Sequence, residues 1–167
     1  MKLQSLLLVF AFCMSAEAAD DISLMKLKAT GDCEGCDLSN ADFAAANFVF
    51  ADLTGANLSG ANLTGAEASV VWLGDANLSS ANLAAADLQG AHLKGANLTD
   101  ANLTGANLIR ADLRDAKLRG ANLSSADLSG ADLTKVDLSD AVLTNIKLHG
   151  AKFCKTTLPW GKDNSGC

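Results

Sequence analysis

Residues 56–65 read Ala-Asn-Leu-Ser-Gly-Ala-Asn-Leu-Thr-Gly, two copies of one five-residue unit that decides the fold. The unit, Ala-(Asp/Asn)-Leu-x-x, continues without insertion or deletion from Cys36 to Lys155, which makes 24 consecutive copies in a chain of 167 residues. The third position is Leu in 20 copies, and the first position is Ala in 20 copies. A repeat this strict indicates a solenoid built from one repeating conformation.

A five-residue period fits neither an α-helix nor a flat strand. Steps of five residues scatter the Leu side chains around a helix, and they put successive Leu on opposite faces of a strand. A chain that turns a corner every five residues can instead point Ala and Leu at a central axis and the intervening Asp or Asn at water. The last two positions form the corner. Gly occupies the second of them in nine copies, where a positive φ costs it little.

This run of units resembles the pentapeptide-repeat family over 120 of the 167 residues. The resemblance implies an all-β fold, a right-handed quadrilateral parallel β-helix with four pentapeptides a coil and therefore about six coils. At a coil spacing of about 4.8 Å the rod would be roughly 30 Å long. The predicted organisation is a signal peptide at 1–18, an N-terminal cap at 19–35, the β-helix at 36–155 and a C-terminal cap at 156–167.

The N-terminus predicts export. A positive start, the apolar stretch 6–14 and the small residues at 16–18 have the parts of a secretory signal peptide, with cleavage before Ala19. The alternative is an uncleaved anchor, but the apolar stretch is too short to span a bilayer comfortably. Bulky Phe12 argues against lipidation of Cys13. We therefore expect a periplasmic or extracellular protein with no stable membrane insertion after cleavage.

Four cysteines remain after cleavage, in pairs at the two ends of the repeat. In the rod that the resemblance implies, these ends lie tens of ångströms apart, whereas a disulfide needs Cα atoms within about 7 Å. We therefore predict the disulfides Cys33–Cys36 and Cys154–Cys167, which export permits. A redox motif at the first pair is the alternative, but no thioredoxin-like βαβ pattern surrounds it. A four-cysteine zinc site fails on the same distance.

The segments beside the repeat are expected to cap the solenoid, because each end of a solenoid exposes apolar core. Residues 20–35 are expected to form a short helix or an irregular cap, and Leu158, Pro159 and Trp160 are expected to help cover the last coil. The sequences around the two cysteine pairs also resemble the flanks of exported bacterial pentapeptide-repeat proteins.

The repeat departs clearly from its pattern in one stretch, residues 66–75. Ala68 stands where Leu is the rule, and Phe48, one coil earlier in the same ladder, is expected to lean into the space beside it. On the outside, Phe50, Val70 and Trp72 occupy positions that elsewhere are polar or small. They predict an exposed apolar patch for a protein partner. The alternative is that Trp72 folds back over the corner and protects the irregular coil.

Stacking the units in register brings chemistry-bearing residues together. His92 is expected between Trp72 and Asp112, and a histidine beside a carboxylate can act as a general base or bind a metal. The alternative, a surface histidine with an ion-pair neighbour, is favoured because a convex rod has no pocket. Glu67 and Asp87 stack as two carboxylates on a flat face, a poor calcium site. A column of identical amides predicts a hydrogen-bonded ladder, formed by Asn62, Asn82, Asn102 and Asn122.

These patterns favour a non-enzymatic exported structural or protein-interaction module, with no cofactor and a partner that the sequence does not name. The net charge of −6 argues against nucleic-acid binding. The second hypothesis is DNA mimicry, by which some relatives with this fold inhibit gyrase. The acidic rod fits it, but the signal peptide argues against it because gyrase is cytoplasmic. A hydrolase or metal-dependent enzyme using His92 and Asp112 is the third hypothesis.

Overall fold

The structure is a computed structural model that describes residues 21–167, so the predicted signal peptide lies outside the described residues. Helix α1, Asp21–Thr30, precedes the repeat. A β-hairpin follows the repeat. Its strands, β1 at Thr156–Leu158 and β2 at Gly161–Asp163, pair antiparallel. The helix and the hairpin occupy the segments expected to cap the solenoid. In the hairpin Leu158 is buried, but Pro159 and Trp160 are exposed, so the expectation that these two residues help to cover the last coil was wrong.

Between the helix and the hairpin, the chain forms a β-helix in which each unit pairs with the fourth unit after it. The parallel pairing begins with Asp37 and Asn57 and continues, unit by unit, to Asp137 and Thr157. Each pairing is one residue long, so the coils are joined by single β-bridges instead of long strands. A partner four units away is the one expected for four pentapeptides a coil.

Main-chain hydrogen bonds hold neighbouring coils together on every face. Leu58 N–H donates to the carbonyl of Asn77 at 2.7 Å, and Asn77 N–H donates back to the carbonyl of Ala56 at 2.9 Å. The same alternation recurs from unit to unit. It satisfies the backbone polar groups that a buried chain must pair.

Every corner of the repeat is a turn with one left-handed residue. Between consecutive units, Ala61 N–H donates to the carbonyl of Leu58 at 3.1 Å. The fifth residue of the unit has a positive φ in all 24 units, nine times as Gly and fifteen times as another residue. A hydrogen-bonded turn with a positive φ at its third residue alone is of type II. The corner conformation is therefore imposed by the coil even where no Gly is present.

The Asp and Asn side chains of the second position cap these corners. In all 17 units with Asp or Asn there, the side-chain Oδ1 accepts the backbone N–H two residues further on, as Asn57 does from Ser59 at 3.3 Å. Such local bonds are why Asp and Asn favour turns. The repeat pattern predicts only that these residues face water, and their role in the corner is visible only in the structure.

The first and third positions of each unit form the core. Their Ala and Leu side chains are buried from Leu38 to Leu138 almost without exception. The last coil is more open, because Leu143, Ile146 and Leu148 are only partly buried. At the other end, Leu27 of α1 is buried against the core cluster. The helix thus contributes to the core at the N-terminal end of the stack.

Two disulfides lie at the ends of the repeat, with the pairing expected from the sequence. Cys33 and Cys36 have Cα atoms 5.3 Å apart, and Cys154 and Cys167 have Cα atoms 4.7 Å apart. The second disulfide ties the end of the chain back to the last unit of the repeat.

The space beside Ala68 is filled incompletely. Phe48 is buried there and meets the ring of Phe43 edge to face, with ring centroids 5.2 Å apart. An apolar cavity of about 10 Å³ remains, lined by Phe48, Ala68 and the neighbouring Leu side chains. Phe48 therefore compensates for the missing Leu, as expected, and leaves a small void.

Candidate functional site

The patch that the sequence predicts reaches the surface. Phe50 is 70% exposed and Trp72 is 49% exposed, while Val70 is partly buried. Phe50 N–H donates to the carbonyl of Ser69 at 3.3 Å, so Phe50 and Val70 occupy the same corner of neighbouring coils. We call Phe50, Val70 and Trp72 the aromatic patch. Its use as a binding surface stays a prediction.

Two residues of the aromatic patch fit their backbone poorly. Phe50 and Val70 take the left-handed corner position, with φ of 63° and 57°. Bulky and β-branched residues rarely adopt this conformation. Elsewhere the corner holds mainly Gly, Asn, Asp, Ser or Ala, together with the unbranched side chains of three Lys and Arg residues. Residues in such unfavourable backbone conformations cluster at functional sites, where their function accounts for the cost in stability.

Trp72 lacks the side-chain oxygen with which Asp or Asn caps the corner in most units. Its indole instead stacks on the imidazole of His92 in the next coil, with ring centroids 4.0 Å apart and an interplanar angle of 15°. The backbone of Trp72 pairs with Asp52 on one side and with His92 on the other. The ring therefore lies along the outside of the coil, half in water, and covers His92.

Asp112 is held by an arginine. Its carboxylate accepts two side-chain hydrogen bonds from Arg114, at 2.7 and 2.5 Å, and the backbone N–H of Arg114 at 3.2 Å. The Arg114 hydrogen bond, followed by its charge, holds the pKa of Asp112 below its ordinary value. A carboxylate with a lowered pKa is a weaker base. The predicted column of Trp72, His92 and Asp112 is therefore present, but it forms a ring stack and an ion pair.

The two stacked carboxylates at Glu67 and Asp87 already have partners. Asn47 donates to Glu67 at 3.1 Å, and Ser69 and Asn107 donate to Asp87 at 2.7 and 2.9 Å. Within residues 21–167, no group of three or more His, Cys, Asp or Glu side chains is arranged to hold a metal ion.

The predicted amide ladder is interrupted, and a neighbouring column forms the more regular one. Asn102 donates to Asn82 at 3.0 Å, but Asn82 donates to the hydroxyl of Thr64. In the neighbouring column each amide donates to the side chain one coil earlier at 3.0–3.1 Å, in a run made of Asp37, Asn57, Asn77 and Asn97. Both columns cap corners, so the ladders need no function to explain them.

Charge is divided unequally along the chain, a feature that the sequence analysis missed. Residues 29–93 carry eight carboxylates and no Lys or Arg, whereas residues 94–167 carry eight carboxylates and ten Lys or Arg. Phe50, Val70 and Trp72 all fall in the first segment. The nearest cations along the chain are Lys28 and Lys94. A count of charge by segment would have found this asymmetry.

Comparison with known protein families identifies the same five-residue repeat. The family described as pentapeptide repeats matches in eight copies, at residues 32–67, 76–115 and 121–158. No curated protein matches. Among residues 21–167, no helix combines the length and the apolar character needed to cross a membrane.

Solved structures with similarity to the chain are themselves pentapeptide-repeat proteins. HetL from Nostoc sp. strain PCC 7120, described as involved in the regulation of heterocyst differentiation, is 35% identical over 78% of this chain, with a TM-score of 0.36. The match covers 65% of HetL, so the chain spans just under two thirds of that relative. Rfr23 from Cyanothece 51142 is 29% identical over 83% of this chain and 95% of its own, with a TM-score of 0.39. QnrB1, a plasmid-mediated fluoroquinolone resistance protein, is 24% identical over 73% of this chain and 62% of its own, with a TM-score of 0.45. The family match and the pairing of each unit with the fourth unit after it together show that this chain belongs to the pentapeptide-repeat family.

Proposed function

We propose that this protein is an exported, non-enzymatic interaction module that binds a protein partner through the aromatic patch. The proposal takes the β-helix to be the right-handed rod of about six coils that the sequence predicts. In that role the repeat serves as a rigid support, and the patch is a surface on which large apolar side chains replace the usual polar or small ones. Fold alone names no function, so the residues of the patch must support the proposal.

The observation that carries the proposal is that the patch breaks the local rules of the repeat at a cost in stability. Phe50 and Val70 hold left-handed corners, and Trp72 replaces a capping Asp or Asn. Phe50 buries little in return, because it is 70% exposed. Residues that break local rules without a structural gain are expected at functional sites.

Site-specific photo-crosslinking in the native host tests the patch. A crosslinking side chain at Gln89, one coil from Val70, is expected to give a discrete adduct with a partner protein. The matched control is the same side chain at Ser129, which lies two coils further along the same column. The adduct at position 89 is expected to disappear in a Phe50→Asn variant. Equal adducts at both positions, or an adduct that survives Phe50→Asn, would count against the patch.

Export is tested separately, by fractionation and by the mass of the purified protein. We expect the protein outside the cytoplasm, with a mature chain that begins at Ala19. A cytoplasmic chain that still begins at Met1 contradicts the proposal.

The second candidate function is mimicry of DNA to inhibit a nucleic-acid enzyme such as gyrase. The acidic segment 29–93 favours it. The predicted signal peptide disfavours it, as do the neutral Asn residues that fill many outward positions. Inhibition of DNA supercoiling by the purified protein, together with a cytoplasmic location, would support this function over the first.

A further inference from the structure

We infer that the partner contacts the aromatic patch with a cationic segment, in which an apolar side chain is flanked by Arg or Lys. This inference rests on the proposed function and adds the chemistry of the partner. It follows from where the carboxylates lie relative to Phe50 and Trp72.

Carboxylates surround the patch on the N-terminal side. Asp52 pairs with Trp72 across the coil boundary, and Asp32 accepts the backbone N–H of Asp52 at 3.1 Å, one coil earlier. Glu67 lies in the coil of Val70 and is exposed. These acidic groups and the exposed rings therefore share one region of surface.

Cations lie at the edges of this region, and two of them have a hydrogen-bond or ion-pair partner. Lys26 of α1 donates to the carbonyl of Glu34 at 3.3 Å. On the other side, Arg114 is paired with Asp112 at 2.5 Å. Lys94 lies one coil beyond Trp72, outside the acidic segment 29–93. Hydrogen bonds from Thr54, together with the charge of Lys26, hold the pKa of Asp52 below its ordinary value, so one cation does act within this region. Carboxylates still outnumber cations around the patch, and a positively charged surface complements it.

The rings and the carboxylates are expected to act on different steps of binding. Burial of an apolar side chain against Phe50 and Trp72 slows dissociation, since aromatic anchors carry most of the energy of an interface. Carboxylates such as Asp52 and Glu67 attract the cationic segment before contact, which raises the association rate in a salt-dependent way. Arg suits such a site because its guanidinium also stacks on indole.

Three synthetic nonapeptides test the inference on the purified protein. The first is Gly-Ser-Arg-Leu-Arg-Phe-Arg-Ser-Gly, the second has Glu in place of Arg, and the third has Ser in place of Leu and Phe. Binding is followed by the fluorescence of Trp72 in a Trp160→Phe background. We expect the first peptide to bind at least about tenfold more tightly than either of the others. Its affinity should fall at least about fivefold between about 50 mM and about 500 mM salt.

Variants separate the charges from the rings. Asp52→Asn with Glu67→Gln is expected to weaken binding of the first peptide about fivefold, mainly through slower association. Asp132→Asn with Asp137→Asn removes the same charge further along the rod and should change binding less than twofold. Phe50→Asn should accelerate dissociation at least about tenfold.

The outcomes distinguish the inference from the proposed function. Equal binding of the Arg and Glu peptides, still lost in Phe50→Asn, overturns the cationic partner and leaves the patch. Equal binding of the first and third peptides shows that charge alone is read, which also overturns the inference. Loss of the position 89 adduct in Phe50→Asn supports the patch independently of any peptide. If neither that adduct nor any peptide depends on Phe50, the proposed function fails as well.

Discussion

Replacing Phe50 by Asn is expected to remove binding without removing stability, which is the signature of a surface kept for function. Phe50 holds a corner with φ of 63°. Asn holds the same position of the unit at Asn40 and Asn145, each with φ of 54°. The substitution therefore puts a residue that the repeat already uses into a conformation that Asn tolerates.

Two opposing terms set the size of the stability change. The left-handed conformation costs an L-residue roughly 1–2 kcal/mol, and the cost is smaller for Asn than for Phe. Phe50 is 70% exposed, so about 60 Å² of its roughly 200 Å² is buried, worth about 1.5 kcal/mol at 25 cal/mol/Å². An Asn side chain retains the atoms nearest the backbone, so the substitution loses only part of this burial free energy. We expect a net change between zero and a gain of about 1 kcal/mol, a shift in Tm of at most about 3 °C upward.

The measurement is thermal or urea unfolding of Phe50→Asn beside Phe43→Asn, a substitution at another Phe in the same part of the chain. Phe43 is buried and packs against Phe48, so its loss should cost at least about 3 kcal/mol. The same Phe50→Asn protein is then used for crosslinking and for peptide binding. A loss of more than about 2 kcal/mol in Phe50→Asn, the size typical of truncating a buried side chain, refutes the reasoning. Phe50 would then be a structural residue of its coil.

Three further predictions concern the scaffold. Ala68→Leu should cost about 1–3 kcal/mol in unfolding experiments, because a cavity of about 10 Å³ cannot take three more carbon atoms; adding Phe48→Leu should recover most of the loss, and no recovery would contradict the shared-space account. Hydrogen bonds from the side chain and backbone of Ser139 hold the pKa of Asp137 below its ordinary value of 3.8. The carboxylate therefore stabilises the fold above that pH, and this contribution is lost on acidification below it. Asp137→Asn keeps the acceptor without the titration and should make the acid-induced fall in Tm shallower, whereas an unchanged fall would show that the carboxylate plays no part. Replacing both Cys154 and Cys167 by Ser should speed tryptic cleavage of the C-terminal tail, because the disulfide closes a short loop worth up to about 3 kcal/mol; unchanged cleavage would show that the hairpin holds the tail alone.

Much of the fold could be predicted because one period controls it. The five-residue unit assigns Ala and Leu to the core, and the coil of four units then aligns every bridge. The pairing of Cys33 with Cys36 and of Cys154 with Cys167 follows from their places at the two ends. The exposure of Phe50 and Trp72 follows from their positions in the unit.

Side-chain partners could not be predicted from the period alone. Each outward residue has a neighbour about 4.8 Å away in the coil before it and another in the coil after it. Its rotamer decides between them, and the period does not specify a rotamer. His92 thus stacks on Trp72, although the sequence also allowed a pair with Asp112. Asp112 is taken by Arg114, which comes from its own corner.

The location of the rule-breaking residues favours the function proposed for the aromatic patch. In a solenoid each coil contacts only the coils next to it, so an unfavourable residue lowers the stability mainly of its own coil and those neighbours. Unfavourable residues far apart along the rod would therefore each have a small local effect. Five units outside the patch also lack a capping Asp or Asn. Three of them are consecutive, at 141–155 in the last coil, where the core is only partly buried, and the units of His92 and Lys117 stand singly. Phe50 lies in the first coil of the repeat, and Val70 and Trp72 lie in the second, with a coil on each side of them. Their costs therefore add at one place. The open end of the stack explains the units at 141–155. It does not explain Val70 and Trp72, which have a coil on each side, whereas a surface that binds a partner explains these two residues together with Phe50.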